Sequence, residues 1–318
     1  MFRHVLAVAA VALASPANAE PGPPVSASEV MVGPQMPGAF FAVPEGEGPY
    51  PALILLGGSE GGDRGARGLA PRFLAEGFAV LGLPYYSPAW FGQTQQFSEL
   101  PQPFASIPVD KAALARDWLA MRGDIRADDI GIYGVSKGAE FALIAGSLIE
   151  GFAAIAAIVP SDVVWEGWGP GTQPGQSSSF SWQGDPLPFV PYIGMQEEMA
   201  KFAKPGETPR LRVGHDQGRH ARPDLAVAAR IAVEDIDEPV LVAGGDADNV
   251  WNSGEMAQTI AERRAAAGLT TVSMIYTDAG HALSGDGTSA GYASEAEIAA
   301  QKEIWPATLA FFAKYLKD

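Results

Sequence analysis

The chain contains no cysteine among its 318 residues. That excludes disulfides, thiolate metal sites, a cysteine nucleophile and thioether lipid anchors, so stability has to come from a buried core alone. Positive charge is scarce. The 21 Lys and Arg stand against 37 Asp and Glu, a formal net charge of −16. Such a field repels phosphate backbones and anionic bilayers, so neither nucleic acid nor a membrane surface is an expected partner. After the first residues, nothing approaches the roughly 18 uninterrupted apolar residues that a spanning helix needs, and no membrane insertion is expected. Histidine is rare as well, four in all, which leaves few candidates for a general base.

What is present at the start is the pattern of an export leader. Arg3 and His4 supply a short basic head, residues 5–13 are an apolar run too short to span a bilayer, and Ala17-Asn18-Ala19 has the small-x-small form of a cleavage site. The expectation is a leader over 1–19 and a periplasmic or secreted mature chain from Glu20. A buried N-terminal strand or helix is the alternative. Hydrophobic residues make up 47% and charged residues 18%, ordinary values for a globular chain. The length suits one large domain over 20–318.

Residues 20–37 are rich in Pro, Gly and Ser and are expected to lie loosely on the surface. Strand-like and helix-like segments then alternate. Apolar runs predict strands at 39–43, 52–56, 78–83, 129–133, 152–159, 240–243 and 271–276. Helical spacing predicts helices at 69–76 (with Gly77 as C-cap), 109–121, 138–149, 253–267 and 295–316, the last bent at Pro306. Between about 160 and 223 the alternation breaks. Trp165, Trp168, Trp182 and the run Ser177-Ser178-Ser179 fall in this Pro- and Gly-rich stretch, whose length marks it as an inserted lid or binding segment. Alternating strands and helices imply an α/β fold, a mainly parallel sheet with helices on both faces and ligands at the carboxyl ends of the strands.

Three stretches match G-x-S-x-G, centred on Ser59, Ser136 and Ser289. In a chain with 37 glycines the pattern alone is weak, and context has to separate them. Only Ser136 lies directly between a strand and a helix, the setting of a nucleophile elbow. A serine hydroxyl needs a base in hydrogen-bond reach and an acid to orient that base. His281, just past the strand ending at Tyr276, is the expected base. The acid should follow the strand at 240–243, where Gly244-Gly245-Asp246-Ala247-Asp248 offers two aspartates. Asp248 sits at the usual offset past the glycine turn, and Asp246 is the competitor. The order Ser, Asp, His is the one used by the α/β-hydrolase fold.

A tetrahedral intermediate needs backbone N–H donors for its oxyanion. Lys137, next after the nucleophile, and Ser59, in the glycine turn after the strand at 52–56, are the expected oxyanion hole. Tyr85, Tyr86, Trp90, Phe91 and Trp251 fall near strand ends. Tyr85 and Trp251 are assigned to substrate binding, with packing beneath the insertion as the alternative for each. Glu140 reads as structural. His215 and His220 lie in the insertion. With Asp216 and Asp224 they make no recognised ligand set, so they read as surface loop residues, and neither metal nor cofactor is expected.

Taken together, 77–86, Gly134-Val135-Ser136-Lys137-Gly138-Ala139-Glu140, 231–236, 239–245 with Asp248 and Trp251, and Ala279-Gly280-His281 resemble one family. It is the catalytic C-terminal domain of acyl-CoA thioester hydrolases and bile-acid-CoA:amino-acid N-acyltransferases, related to dienelactone hydrolases. The similarity runs from about Pro51 to the C-terminus. It implies an α/β-hydrolase fold with Ser136 as nucleophile, Asp248 as acid and His281 as base. Members of the acyl-CoA type carry a β-sandwich domain ahead of the catalytic one, and here only a short stretch precedes the first strands. Acyltransferase members use cysteine where this chain has serine, which favours water as acceptor. The expectation is a serine hydrolase acting on a small-molecule carboxylic ester or thioester through an acyl-serine. A peptidase or amidase on the same scaffold, and a binding protein that kept the fold without turnover, are the rival readings.

Overall fold

Continuous apolar runs have to be covered on both faces, and that requirement organises the molecule. The computed structural model describes residues 23–89, 94–288 and 292–317. The expected leader, Trp90, Phe91 and Ser289 lie outside the described residues.

The chain opens with strands β1 (Val30–Met31), β2 (Phe40–Ala42) and β3 (Tyr50–Leu56), then helix α1 (Arg64–Ala75) and β4 (Ala79–Gly82). A two-residue strand β5 (Ile107–Pro108) precedes α2 (Asp110–Ala120), β6 (Ile125–Val135), α3 (Lys137–Leu148) and β7 (Ala154–Ile158). The insertion carries β8 (Phe180–Trp182), β9 (Asp185–Pro186), α4 (Met195–Ala200), α5 (Arg212–Ala221) and α6 (Pro223–Ala228). Strand β10 (Val240–Gly245), α7 (Ser253–Ala266), β11 (Thr271–Tyr276) and α8 (Glu295–Leu316) complete the order.

Eight strands form one sheet in the order β1-β2-β4-β3-β6-β7-β10-β11. The β1–β2 and β2–β4 pairs are antiparallel, and every other pair is parallel. Side chains on β3 alternate between two cores. Ala52, Ile54 and Leu56 pack with residues of α2, α3 and α7, while Leu53 and Leu55 pack with residues of α1 and α8. The result is three layers, helices on both faces of a mainly parallel sheet. A second sheet, β5-β8-β9, joins the insertion to the segment before α2.

Several details depart from the sequence-based expectation. The described part of 20–37 is tied down rather than loose. Strand β1 pairs with β2, Met36 is buried, and Arg67 donates to the carbonyl of Pro23 and to Glu29. Helix α1 begins at Arg64, five residues early, and ends where Gly77 adopts φ +79. The insertion is structured throughout much of its length, and its bridge from Val163 to Arg230 extends it beyond 223.

Arg264 closes the floor of the sheet. It is fully buried on α7. Its guanidinium donates to the carbonyls of Val233, Ile236, Glu238 and Thr270 and to the Thr271 hydroxyl, at 2.7 to 3.1 Å. Burial pulls its pKa down to about 10, so it stays charged. Carbonyls can only accept, and an apolar replacement leaves those of Ile236 and Glu238 without a donor, while Val233 and Thr270 keep only a backbone N–H each. Arg264→Met is expected to lower unfolding free energy by ~3 kcal/mol or more, read as a shifted midpoint in urea denaturation with an unchanged slope.

Candidate active site

Strand β6 runs to Val135, and Ser136 follows at φ 56, ψ −121 before α3 begins at Lys137. This left-handed backbone is strained for a residue with a Cβ. Crowding around it explains both flanking glycines. A Cβ on Gly134 would sit 2.1 Å from the Gly138 carbonyl oxygen, and one on Gly138 would sit 2.3 Å from that of Gly57. The hydroxyl is thereby held at the carboxyl edge of the central strand, where it meets the loops after β10 and β11.

Those loops deliver the partners. Ser136 Oγ lies 2.9 Å from His281 Nε2, and His281 Nδ1 lies 2.7 Å from Asp248 Oδ2. With Nδ1–H donating to the carboxylate, Nε2 is left to accept from the serine. Asp248 is fully buried and heavily bonded. The Ser253 hydroxyl donates to Oδ2 at 2.6 Å, and the amides of Val250 and Trp251 donate to Oδ1 at 2.8 and 3.3 Å. Asp246, the competitor, is exposed and does not reach the histidine. Trp251 stands edge-on to the His281 ring at 5.4 Å and anchors its own Nε1–H on the Val159 carbonyl. Sequence reasoning missed Ser253, since a serine opening a helix reads as a cap. Here its hydroxyl serves the acid instead.

The loop after β3 is aimed from beneath. The Tyr85 hydroxyl donates to the carbonyls of Gly57 and Gly58 at 2.6 and 3.1 Å, and the Tyr86 hydroxyl donates to that of Ser59. A trans peptide points its N–H opposite to its C=O. Tyr85 therefore turns the Gly58 and Ser59 amides away from itself. The Gly58 N–H is taken by Glu60 Oε1 at 2.9 Å. The Ser59 amide and that of Lys137, at the first turn of α3, have no intramolecular acceptor among the described residues. The assignment of Tyr85 to substrate binding is corrected, since Tyr85 is buried and absent from the cavity wall. Trp251 does line it.

That cavity measures about 680 Å³ and opens over Ser136 and His281. The insertion supplies its far wall, including Trp168, Tyr192, Met195, Leu211 and His215. A buried ion pair fastens the insertion to the nucleophile helix. Lys137 Nζ lies 2.6 Å from Glu140 Oε2 and 3.0 Å from Ser179 Oγ, among the rings of Phe104, Trp168 and Phe180. Glu140 Oε1 accepts from the Trp165 amide at 3.1 Å. Burial draws the Lys137 ammonium below its ordinary pKa and raises that of Glu140. Burial likewise raises Glu60.

His215 is also corrected. It is a buried member of α5 rather than a surface loop residue, while His220 is exposed five positions on. Among the described residues no cluster of three or more His, Asp or Glu suits a metal, and none of their helices is long and apolar enough to cross a membrane.

A Ser-His-Asp line at the carboxyl edge of a mainly parallel sheet defines an α/β-hydrolase. A dienelactone hydrolase-like protein from Klebsiella pneumoniae shares this fold, with a TM-score of 0.54 at 20% identity, over 87% of this chain and 92% of that one. Residues 113–285 match the model of the BAAT / acyl-CoA thioester hydrolase C-terminal family, and the chain belongs to that family. Human mitochondrial acyl-coenzyme A thioesterase 2 is 26% identical over 92% of this chain and 58% of its own length. The mouse peroxisomal succinyl-coenzyme A thioesterase is 24% identical over 87% and 63%. The chain thus spans about three fifths of these relatives.

His215 gives the site a pH signature. Burial pushes its pKa down to about 3, so it folds in neutral. Between pH 6.5 and 3 the unfolded chain takes up a proton that the folded one refuses, so this group's stabilisation holds above pH 6.5 and drains away below it. His215→Phe removes that dependence. The stability gap between wild type and variant is expected to shift against wild type by about 3 kcal/mol on going from pH 7.5 to pH 4.5, measured by urea unfolding at both values.

Proposed function

We propose that this chain is a serine hydrolase that cleaves a carboxylic ester or thioester through an acyl-serine intermediate. The observation that carries this reading is the unbroken line from Ser136 Oγ through His281 to buried Asp248, lying under a cavity of substrate size. His281 takes the serine proton as Oγ attacks the carbonyl carbon, and Asp248 stabilises the imidazolium that forms. The Ser59 and Lys137 amides hold the oxyanion, with the N-terminus of α3 adding its positive end. The imidazolium then protonates the leaving alcohol or thiol. Water, activated by the same histidine, attacks the acyl-serine, releasing the acid and restoring the serine.

Membership of a thioester hydrolase family supports the hydrolytic part. Thioesters, acyl-CoA among them, belong in the substrate panel because the named relatives are thioesterases. The leader pattern over 1–19 supports export to the periplasm or beyond, which the N-terminal mass of the protein expressed in its own cell reads directly.

A fluorophosphonate probe is expected to label Ser136, and Ser136→Ala to abolish both labelling and turnover of short p-nitrophenyl esters. Labelling at another residue, or full activity in the variant, refutes the assignment. Tyr85→Phe tests the loop. Losing the hydroxyl that turns the Ser59 amide is expected to cut kcat by roughly tenfold with little change in KM. A change confined to KM would return Tyr85 to the substrate wall.

A further inference from the structure

The insertion places on the cavity wall a histidine that the mechanism does not use. His215, 4% exposed, lines the same cavity as the triad. Its Nδ1 lies 3.0 Å from the Leu211 carbonyl oxygen. A carbonyl only accepts, so Nδ1 carries the proton and Nε2 carries a lone pair. No group among the described residues bonds to that Nε2. Rings lock the imidazole edgewise: Trp165 at 4.6 Å, Tyr192 at 4.9 Å and Trp251 at 5.5 Å. Trp251 in turn contacts His281, so one tryptophan separates the two histidines.

We propose that His215 Nε2 is a specificity-determining acceptor, selecting esters or thioesters whose ring or branch carries a neutral hydroxyl or N–H donor. This rests on the hydrolase reading and names the substrate class of that site. A fixed, buried acceptor discriminates in two directions. A substrate with a donor satisfies the lone pair, while one without it strips water from Nε2 and returns nothing. A carboxylate at the same place meets the lone pair with its own charge and is rejected. The rings around it favour a flat or cyclic group over a flexible chain. Tyr192, whose hydroxyl likewise has no partner among the described residues, stands on the same wall.

The test uses the purified full chain with methyl 3-phenylpropanoate and its three ring-hydroxylated isomers. At least one hydroxylated isomer is expected to exceed the parent in kcat/KM by tenfold or more. His215→Phe should bring that ratio to within about threefold of unity, while His215→Gln, which keeps an acceptor, retains part of it. The same order should hold for dissociation constants in Ser136→Ala, followed by tryptophan fluorescence. If no isomer exceeds the parent in wild type, or if the preference survives in His215→Phe, the proposal is overturned. The wild-type comparison decides even if a variant fails to fold. Absence of all turnover and labelling sinks the hydrolase reading instead, and the binding ratio in Ser136→Ala then judges the acceptor by itself.

Discussion

Ser136 sits in backbone geometry that an ordinary residue avoids, at a cost of order 1–3 kcal/mol, and the surrounding structure has to impose it. The imposition comes from both sides. Its amide donates to the Ile158 carbonyl of the neighbouring strand at 2.9 Å, and two glycines let α3 press against the ends of β6 and β3. Relaxing the turn would swing Oγ away from His281 and carry the Lys137 amide with it. Val159, at the end of the adjacent strand, is held at φ 48, and its carbonyl anchors Trp251. Two strained positions side by side thus fix the nucleophile and the aromatic buttress of the base.

From that turn the coupling spreads into the insertion. Lys137 contributes its amide to one face of the helix terminus and sends its side chain the other way, to Glu140 and Ser179. A buried ion pair is a poor source of net stability, since desolvation offsets most of the attraction. Its effect here is positional. Glu140 also accepts from the Trp165 amide, so the helix bearing the nucleophile and the wall of the cavity share one network. The Arg219–Asp162 pair ties α5 to the segment after β7 in the same manner. The cavity wall is therefore referenced to the reacting atoms rather than hung on a mobile loop.

Much of this was legible in sequence because local patterns encode local demands. Continuous apolar runs mark strands buried on both faces, and the main strands and helices fall where those runs place them, within a few residues at their ends. The Gly134-Val135-Ser136-Lys137-Gly138 turn could be told from its two look-alikes because only it joins a strand to a helix. Other features were not legible. Asp246 and Asp248 stand two positions apart, and it took the fold of the turn to expose one and bury the other. Tyr85 has the composition of a pocket residue, and its orientation under the loop depends on the approach of β4 to β3. His215 lies in a segment without clear periodicity, and its burial depends on aromatic residues up to fifty positions away.

The sequence alone determined the residue types, their order along the chain and the strand–turn–helix setting of the serine, because glycine at a crowded turn and apolar runs in a buried sheet are requirements felt within a few residues. Tertiary structure decided which aspartate faces His281, that Tyr85 braces a loop instead of lining a pocket, and that His215 presents an unpaired nitrogen to the cavity. Each of those depends on contacts between segments distant in the chain, where packing in three dimensions selects one arrangement among several that the local pattern permits.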